Sequence, residues 1–263
     1  MYSPIGILDS GLGGLSVFHE IKALLPGEDI IYFGDSAWCP YGPRHPEEIQ
    51  RRVFAITDYL LALHCKLIVV ACNSATIAAV EALRATYPVP FVGMEPAVKP
   101  AAAMTRTGTV GVLATEASLA GSKFHKLLHA HAEGVNIITR PCPNFVDLVE
   151  RGELEGKRAY GIVEEEIQPL IAAGADVLVL GCTHYPFLRP LIQEVAGTEI
   201  QILDTGAAVA RQVVEQLKNK ELDHKQKSDD RIITTGDLKT LQQLFPRLCP
   251  EVSATLTHID PLP

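Results

Sequence analysis

Two stretches of the chain have the same form: "LIVVACNSAT" at residues 67–76 and "VLVLGCTHYP" at residues 177–186. Each begins with a short apolar run and ends in one cysteine followed by two polar residues. Short apolar runs of this length are typical of strands that are buried on both faces of a parallel sheet. The two stretches therefore predict two equivalent strands, each of which leads into a single thiol.

The repetition extends to the strands before each cysteine. "IGILDS" begins at residue 5 and "VGVLAT" at residue 110, while "IIYFGD" begins at residue 30 and "NIITRP" at residue 136. Apolar runs alternate with helix-like segments throughout, which is the pattern of parallel sheets flanked by helices. We therefore predict an α/β fold of two pseudo-symmetric domains, each with a mostly parallel sheet flanked by helices.

The C-terminal part of the sequence sets the domain boundaries. The run "KNKELDHKQKSDDR" (218–231) is polar and predicts a solvated helix end and loop. The strand and helix predicted after it, in "IITTGD" and "LKTLQQLFPRL", must then pack on an earlier part of the chain. We expect a discontinuous first domain, residues 1–97 plus 207–263, and a second domain, residues 98–206. The segment "EEEIQ" (164–168) predicts a charged, solvent-facing helix surface.

Composition excludes several classes of function. The chain has 23 basic and 31 acidic residues and no long basic run, which argues against nucleic acid as the main partner. It also lacks the run of about 18 apolar residues that a membrane-spanning helix needs. The first residues, "MYSPIGILDS", do not have the pattern of a signal peptide. We therefore expect a cytoplasmic protein with reduced thiols.

The cysteines divide into two groups. None of the six forms a C-x-x-C pair, and we expect Cys65 and Cys249 to be small buried core residues. Cys72 and Cys182 instead follow strands, at the sheet edge where open α/β folds bind ligands. Asn73 and Ser74 are predicted N-cap residues of the helix that follows, and a helix start here favours a thiolate at Cys72. His184 can exchange protons with Cys182.

Two such thiols can perform stereoinversion, because one can remove a proton from a carbon while the other returns one to the opposite face. A redox or metal protein is an alternative that needs the two thiols within bonding range. A binding protein that keeps an inactive enzyme fold is another. "GLGGLS" (11–16) is an incomplete nucleotide fingerprint, and the histidines of "HKLLHAH" lack a carboxylate or cysteine partner nearby. We therefore expect no cofactor and no metal.

Six motifs carry a family resemblance. They are "DSGLGGLSV" (9–17), "PYG" (40–42), "CNSAT" (72–76), "LVERGE" (148–153), "GCTHYP" (181–186) and "TTGD" (234–237). In this order, over essentially the whole chain, they resemble the glutamate racemases of bacterial cell-wall synthesis. The resemblance implies an isomerase that interconverts L- and D-glutamate by a two-cysteine mechanism without a cofactor, supplies D-glutamate for peptidoglycan, and commonly forms homodimers. A racemase of aspartate or a hydantoin is the alternative.

The same resemblance implies that the active site lies in the cleft between the two domains, and it implies which residues form the site. Cys72 would be the base for D-glutamate and Cys182 the base for L-glutamate, with Asp9 and His184 assisting and Glu150 orienting His184. The implied substrate-binding residues are Asp9, Ser10, Pro40, Tyr41, Gly42, Cys72, Asn73, Ser74, Thr115, Cys182, Thr183 and His184. The segment "GDSAWCPYG" departs from the family pattern at Trp38 and Cys39, which leaves the shape of this loop open.

Overall fold

The computed structural model describes residues 3–218, 228–250 and 252–263. Most of the polar run predicted as a helix end and loop, residues 219–227, lies outside the described residues. The chain divides into two compact units, Met1–Met94 with Gly206–Pro263, and Glu95–Thr205. Within the described residues, no helix combines the length and apolar character needed to cross a bilayer.

The two units are built from short strands and longer helices. The strands are β1 Ile5–Asp9, β2 Ile30–Gly34, β3 Leu67–Val70, β4 Phe91–Val92, β5 Thr109–Ala114, β6 Asn136–Pro141, β7 Val177–Gly181, β8 Gln201–Leu203, β9 Arg231–Thr234 and β10 Thr255–His258. The helices are α1 Leu15–Leu24, α2 Pro46–Ala62, α3 Asn73–Thr86, α4 Val98–Met104, α5 Glu116–Ala120, α6 Ser122–His131, α7 Pro143–Glu150, α8 Lys157–Ala172, α9 Arg189–Ala196, α10 Gly206–Leu217 and α11 Leu238–Leu248. Two 3₁₀ turns lie at Ser36–Trp38 and Tyr185–Leu188.

The first unit contains a parallel sheet with strand order β10-β9-β2-β1-β3-β4. Every residue of β1, β2 and β3 is buried, which explains why these strands are continuous apolar runs in the sequence. Strand β1 lies between β2 and β3, so the residues that follow these three strands emerge side by side at one edge of the sheet.

The second unit contains a parallel sheet with strand order β6-β5-β7-β8. This order repeats the β2-β1-β3-β4 portion of the first sheet, with β5 in the place of β1 and β7 in the place of β3. The repeated sequence landmarks fall on these equivalent strands. The predicted α/β fold with parallel sheets flanked by helices is therefore confirmed.

The repeat includes a glycine in the middle of each sheet. A methyl group added at Gly6 in β1 would lie 3.1 Å from the sulfur of Cys65, and one added at Gly111 in β5 would lie 2.7 Å from Cδ2 of Leu178. At each position, the space that a side chain would occupy is filled by a neighbouring apolar group, which packs directly on the strand.

The prediction of a charged helix surface at residues 164–168 is wrong for two residues, Glu166 and Ile167, which face inward. Glu166 is buried, and its Oε2 lies 2.5 Å from Nε of Arg140. The helical period places Glu166 on the same inward face of α8 as Val163 and Ile167. The ion pair with Arg140 compensates the buried charge.

Candidate active site

Cys72 is the N-cap residue of α3. Its backbone is extended (φ −80°, ψ 126°), and the N–H of Thr76 donates to its carbonyl oxygen at 2.9 Å. The sequence predicted that Asn73 or Ser74 would cap this helix, but the helix begins at Asn73 with the cysteine at the cap. The N–H groups of the first turn carry partial positive charge, so the backbone here favours a negatively charged sulfur.

Asp9 lies at the end of the strand beside the one that leads to Cys72. Leu8 pairs with Val70, and the N–H of Ala71 donates to the carbonyl oxygen of Leu8 at 2.9 Å. The Asp9 side chain is fully buried and accepts a hydrogen bond from the N–H of Gly11 at 2.9 Å. The structure therefore brings Asp9 and Ser10 next to the start of α3.

The first residues of α3 present polar groups that are almost fully buried. Asn73 is 5% exposed and Ser74 is 4% exposed. The Oδ1 atom of Asn73 has no hydrogen-bond partner among the described residues. A buried acceptor without a donor is costly, so this oxygen is positioned to accept a hydrogen bond from a ligand.

The "PYG" motif lies in a loop that follows the first 3₁₀ turn. Pro40 and Gly42 are half-buried, whereas Tyr41 is buried in the same apolar cluster as Cys72. The Tyr41 hydroxyl donates to Oδ2 of Asp35 at 2.6 Å. Burial, reinforced by the Asp35 carboxylate, holds the pKa of Tyr41 well above its usual value. The phenol is therefore a neutral donor at any physiological pH.

Sequence reasoning missed Arg52, which anchors this loop. Its Nε and Nη2 donate to the two oxygens of Asp35 at 3.0 and 2.8 Å, and the hydroxyl of Thr235 donates to the same carboxylate at 3.0 Å. One signal was available in the sequence. Arg52 falls on the buried face of α2 with Ile49 and Val53, where a cation requires an anionic partner.

Cys182, His184 and Glu150 form a hydrogen-bonded chain in the second unit. Cys182 directly follows β7, and its sulfur lies 3.7 Å from Nδ1 of His184. Nε2 of His184 lies 2.7 Å from Oε1 of Glu150, the last residue of α7. Cys182 and His184 are buried, while the Glu150 side chain is about one-fifth exposed. The structure therefore brings these three predicted residues together.

This chain of contacts determines how His184 can move a proton. An ionised carboxylate only accepts hydrogen bonds, so Nε2 of His184 carries a proton that it donates to Glu150. Nδ1 then faces the Cys182 sulfur and can take the thiol proton, leaving a thiolate beside an imidazolium. The Glu150 carboxylate stabilises the positive charge that this transfer creates.

Two threonines lie close to Cys182 in the second sheet. Ala114 pairs with Gly181, so Thr115 and Cys182 follow adjacent strand ends. The Thr115 hydroxyl caps α5 by accepting from the N–H of Ser118 at 3.2 Å. Thr183 is 3% exposed. Both predicted substrate-binding threonines therefore lie at the same sheet edge as the thiol.

A second contact joins α7 to the turn that carries His184. The buried hydroxyl of Tyr185 donates to the carbonyl oxygen of Cys142 at 2.9 Å, and its ring packs edge-on against Phe145 with centroids 5.2 Å apart. Helix α7 is thus held to this turn at its first residues by Tyr185 and at its last residue by the contact of His184 with Glu150.

The remaining buried cysteines have a different environment. Burial raises the pKa of Cys65 and of Cys249 to about 12, and burial also raises the pKa of Cys142. A thiol with such a raised pKa is a poor nucleophile or base near neutral pH. The prediction that Cys65 and Cys249 are buried core residues is confirmed, and all six cysteines are free thiols.

Comparison with known proteins identifies the family of this chain. The family described as Asp/Glu/hydantoin racemase matches residues 5–213. The chain belongs to this racemase family. A glutamate racemase of Herpetosiphon aurantiacus is 51% identical over 89% of this chain and 93% of the relative. The family resemblance and the predicted enzyme class, an isomerase, are therefore confirmed.

Solved racemases also share the fold over nearly the whole chain. The structure of Escherichia coli glutamate racemase in complex with L-glutamate and the activator UDP-MurNAc-Ala has a TM-score of 0.89, with 32% identity over 99% of this chain and 100% of that one. The structure of the Francisella tularensis glutamate racemase in complex with D-glutamate has a TM-score of 0.83, with 26% identity over 98% and 97% of the two chains.

Proposed function

We propose that this racemase-family chain interconverts L- and D-glutamate. Relatives at about half sequence identity are named glutamate racemases, and two solved relatives contain L-glutamate and D-glutamate. The family description also includes aspartate and hydantoin racemases, so the substrate must be tested directly.

The proposed mechanism uses Cys72 and Cys182 as two bases that act on opposite faces of the substrate α-carbon. Starting from L-glutamate, the Cys182 thiolate removes the α-proton and the Cys72 thiol donates its proton to the opposite face. Cys182 ends as a thiol and Cys72 as a thiolate, which is the state needed for the reverse reaction. Because the two thiols supply both the base and the acid, this step requires no cofactor.

The observation that carries the proposal is the chain from Cys182 through His184 to Glu150. It offers a path by which the thiol can lose its proton and a carboxylate that stabilises the resulting imidazolium. For Cys72, the N-terminus of α3 supplies stabilisation of a thiolate, and we propose that the buried Asp9 assists proton transfer there.

The proposed substrate contacts follow from the buried polar groups. The unpartnered Oδ1 of Asn73 suits the substrate ammonium group, which is a donor. The hydroxyls of Ser10, Ser74 and Thr183 can donate to its carboxylates, and Pro40, Tyr41 and Gly42 form the adjoining loop. The Thr115 hydroxyl donates to Oγ of Ser118 at 2.8 Å, so it must turn from Ser118 to bind a carboxylate. Donors held in place around the α-carboxylate lower the free energy of the carbanion that forms when the proton leaves.

The reaction is tested by circular dichroism of pure L- or D-glutamate mixed with the purified protein. We expect the signal to decay to zero from both starting points, in buffer containing a chelator and no added pyridoxal phosphate. Decay with aspartate and a constant signal with glutamate would contradict the proposed substrate. Loss of activity on chelation would contradict the cofactor-free mechanism.

The role of the thiols is tested by Cys72→Ser and Cys182→Ser, with Cys249→Ser as a matched control at a buried core thiol. Each of the first two changes should abolish racemisation, because inversion needs a base and an acid on opposite faces. The control should retain activity. Near-normal turnover in either active-site variant would rule out the two-base mechanism.

A substrate analogue with a leaving group assigns each thiol to a face. β-Chloroglutamate can lose its α-proton to one thiol and then expel chloride, so its elimination needs only one base. We expect Cys72→Ser to keep elimination from the L-configured analogue and Cys182→Ser to keep elimination from the D-configured analogue. The reverse pattern would exchange the roles of the two cysteines.

We further propose that the chain works in the cytoplasm and supplies D-glutamate for peptidoglycan. Growth of a bacterial strain that requires D-glutamate, after it receives this gene, tests that role. The homodimer implied by the family is tested by sedimentation velocity over a range of protein concentrations.

A further inference from the structure

We infer that Arg52 is a positioning residue for substrate binding, which acts by holding the loop of residues 35–44, here called the Trp38 loop. The inference rests on the proposed function, since it takes Tyr41 in this loop to be next to the substrate. The contacts that support it all lie within the first unit, and several involve residues outside the family motifs.

The first observation is that Arg52 controls the carboxylate to which Tyr41 is bonded. Asp35 is fully buried at the start of the Trp38 loop. Both of its oxygens accept from Arg52, and Oδ2 also accepts from the Tyr41 hydroxyl at 2.6 Å. A two-pronged contact of this kind fixes the carboxylate in its plane as well as its position. The orientation of Tyr41 therefore depends on Arg52 through Asp35.

The second observation is that Arg52 also holds the middle of the loop. Its guanidinium lies 4.8 Å from the centre of the Trp38 ring, and the guanidinium of Arg44 lies 4.7 Å from the same ring. Nε of Arg44 donates to the carbonyl oxygen of Trp38 at 2.8 Å. Cations close to an indole ring attract it electrostatically. Trp38 is thus held by two arginines at the position where the sequence departs from the family pattern.

The third observation is that the remaining nitrogen of Arg52 contacts the last described segment of the chain. Nη1 donates to the carbonyl oxygen of Leu262, and the side chains of Leu262 and Ile259 pack on the apolar cluster that contains Tyr41. All three nitrogens of the guanidinium are therefore used within the protein. A lysine has a single nitrogen and no planar fork, so it cannot reproduce the two-pronged contact with Asp35 together with the contact to Leu262.

These contacts predict a specific kinetic effect. Replacing Arg52 by Lys keeps the charge beside Asp35 but removes the two-pronged contact and one cation from Trp38. Loss of one hydrogen bond to a charged group corresponds to about a tenfold change in affinity. Because the loop contacts substrate and supplies neither proton, we expect KM to rise about tenfold with little change in kcat.

Trp38 provides a direct measurement of the loop, since it is the only tryptophan in the chain. In Arg52→Lys we expect a shifted emission maximum and stronger quenching by acrylamide, together with the rise in KM for both enantiomers. Arg51→Lys is the matched control, because Arg51 is the neighbouring residue on α2 and is exposed. It should leave emission, quenching and KM unchanged.

Provided that the unaltered protein racemises glutamate, two results would overturn the inference. One is unchanged KM in a folded Arg52→Lys variant, whatever its fluorescence. The other is an equal change of KM in Arg51→Lys and in Arg52→Lys. If the unaltered protein does not racemise glutamate, the proposed function is refuted instead. The circular-dichroism assay gives that result before any variant is made.

Tyr41→Phe tests the same connection, whether or not Arg52→Lys folds. It removes only the hydroxyl that binds Asp35 and keeps the buried ring. We expect the same rise in KM, and in a folded double variant we expect no further rise, because both changes break one path. An unchanged KM in Tyr41→Phe, or additive effects in the double variant, would overturn the inference.

Discussion

The proposed role of Glu150 can be tested by removing its charge while keeping its shape. Glu150→Gln replaces the carboxylate that lies 2.7 Å from Nε2 of His184 with an amide of nearly equal size. The amide oxygen can still accept from Nε2, so the position of the imidazole is retained. The change therefore isolates the contribution of the negative charge to proton transfer between Cys182 and His184.

The size of the effect follows from the type of hydrogen bond that is changed. A hydrogen bond to a charged group contributes about 1.5–3 kcal/mol, and one between neutral groups contributes about 0.5–1.5 kcal/mol. The difference of about 1.4 kcal/mol corresponds to a tenfold change in rate. Because His184 is buried and Glu150 only one-fifth exposed, water replaces little of the lost stabilisation. We expect kcat for racemisation to fall about tenfold.

The assay should separate the two faces of the substrate. L- and D-glutamate have equal free energies in water, so kcat/KM for racemisation must be equal in the two directions and cannot show which thiol is affected. The rate of elimination from β-chloroglutamate can show which thiol is affected, because each configuration of the analogue loses its proton to one thiol. We expect Glu150→Gln to slow elimination from the L-configured analogue about tenfold, by the charge difference above, and to leave the D-configured analogue unaffected.

Glu153→Gln is the matched control, because Glu153 lies three residues away and pairs with the exposed Arg158. An exposed ion pair contributes little, so this variant should behave as the normal protein. Normal racemisation by Glu150→Gln, or equal slowing with both configurations of the analogue, would refute the proton path through His184.

Three further changes test the fold rather than the reaction. Gly111→Ala should destabilise the protein by about 1–3 kcal/mol in urea unfolding, since its methyl group would lie 2.7 Å from Leu178 Cδ2. Gly161→Ala, in open space on α8, should instead stabilise it by about 0.5–1 kcal/mol, and the same sign for both would contradict this packing argument. Burial would raise the pKa of Asp176, but hydrogen bonds from Thr105 and the following residues outweigh it and lower the pKa. A carboxyl group with a lowered folded-state pKa adds stability above its unfolded pKa of about 3.9 and loses it as the pH falls. Asp176→Asn should therefore flatten the decline in unfolding free energy below about pH 4, and an unchanged decline would refute the assignment.

Local sequence patterns were sufficient for the main elements of the fold. The apolar runs of β1, β5 and β7 and the amphipathic period of α8 are encoded in neighbouring residues, so they can be recognised without a structure. The short strands β4, β8 and β10 contain two to four residues each, which is too few to show a period. They exist because neighbouring strands provide hydrogen-bond partners for them.

The sequence by itself determined that the chain has repeated α/β units, a thiol after an equivalent strand in each, and the motifs of a racemase family. Only the tertiary structure decided that Cys72 caps α3, that Glu166 faces inward, and that Arg52 holds Asp35 and the distant Leu262. Periodicity reports which face of an element is apolar. It does not report which buried polar groups meet, because those pairings join residues far apart in the chain and depend on how the elements pack.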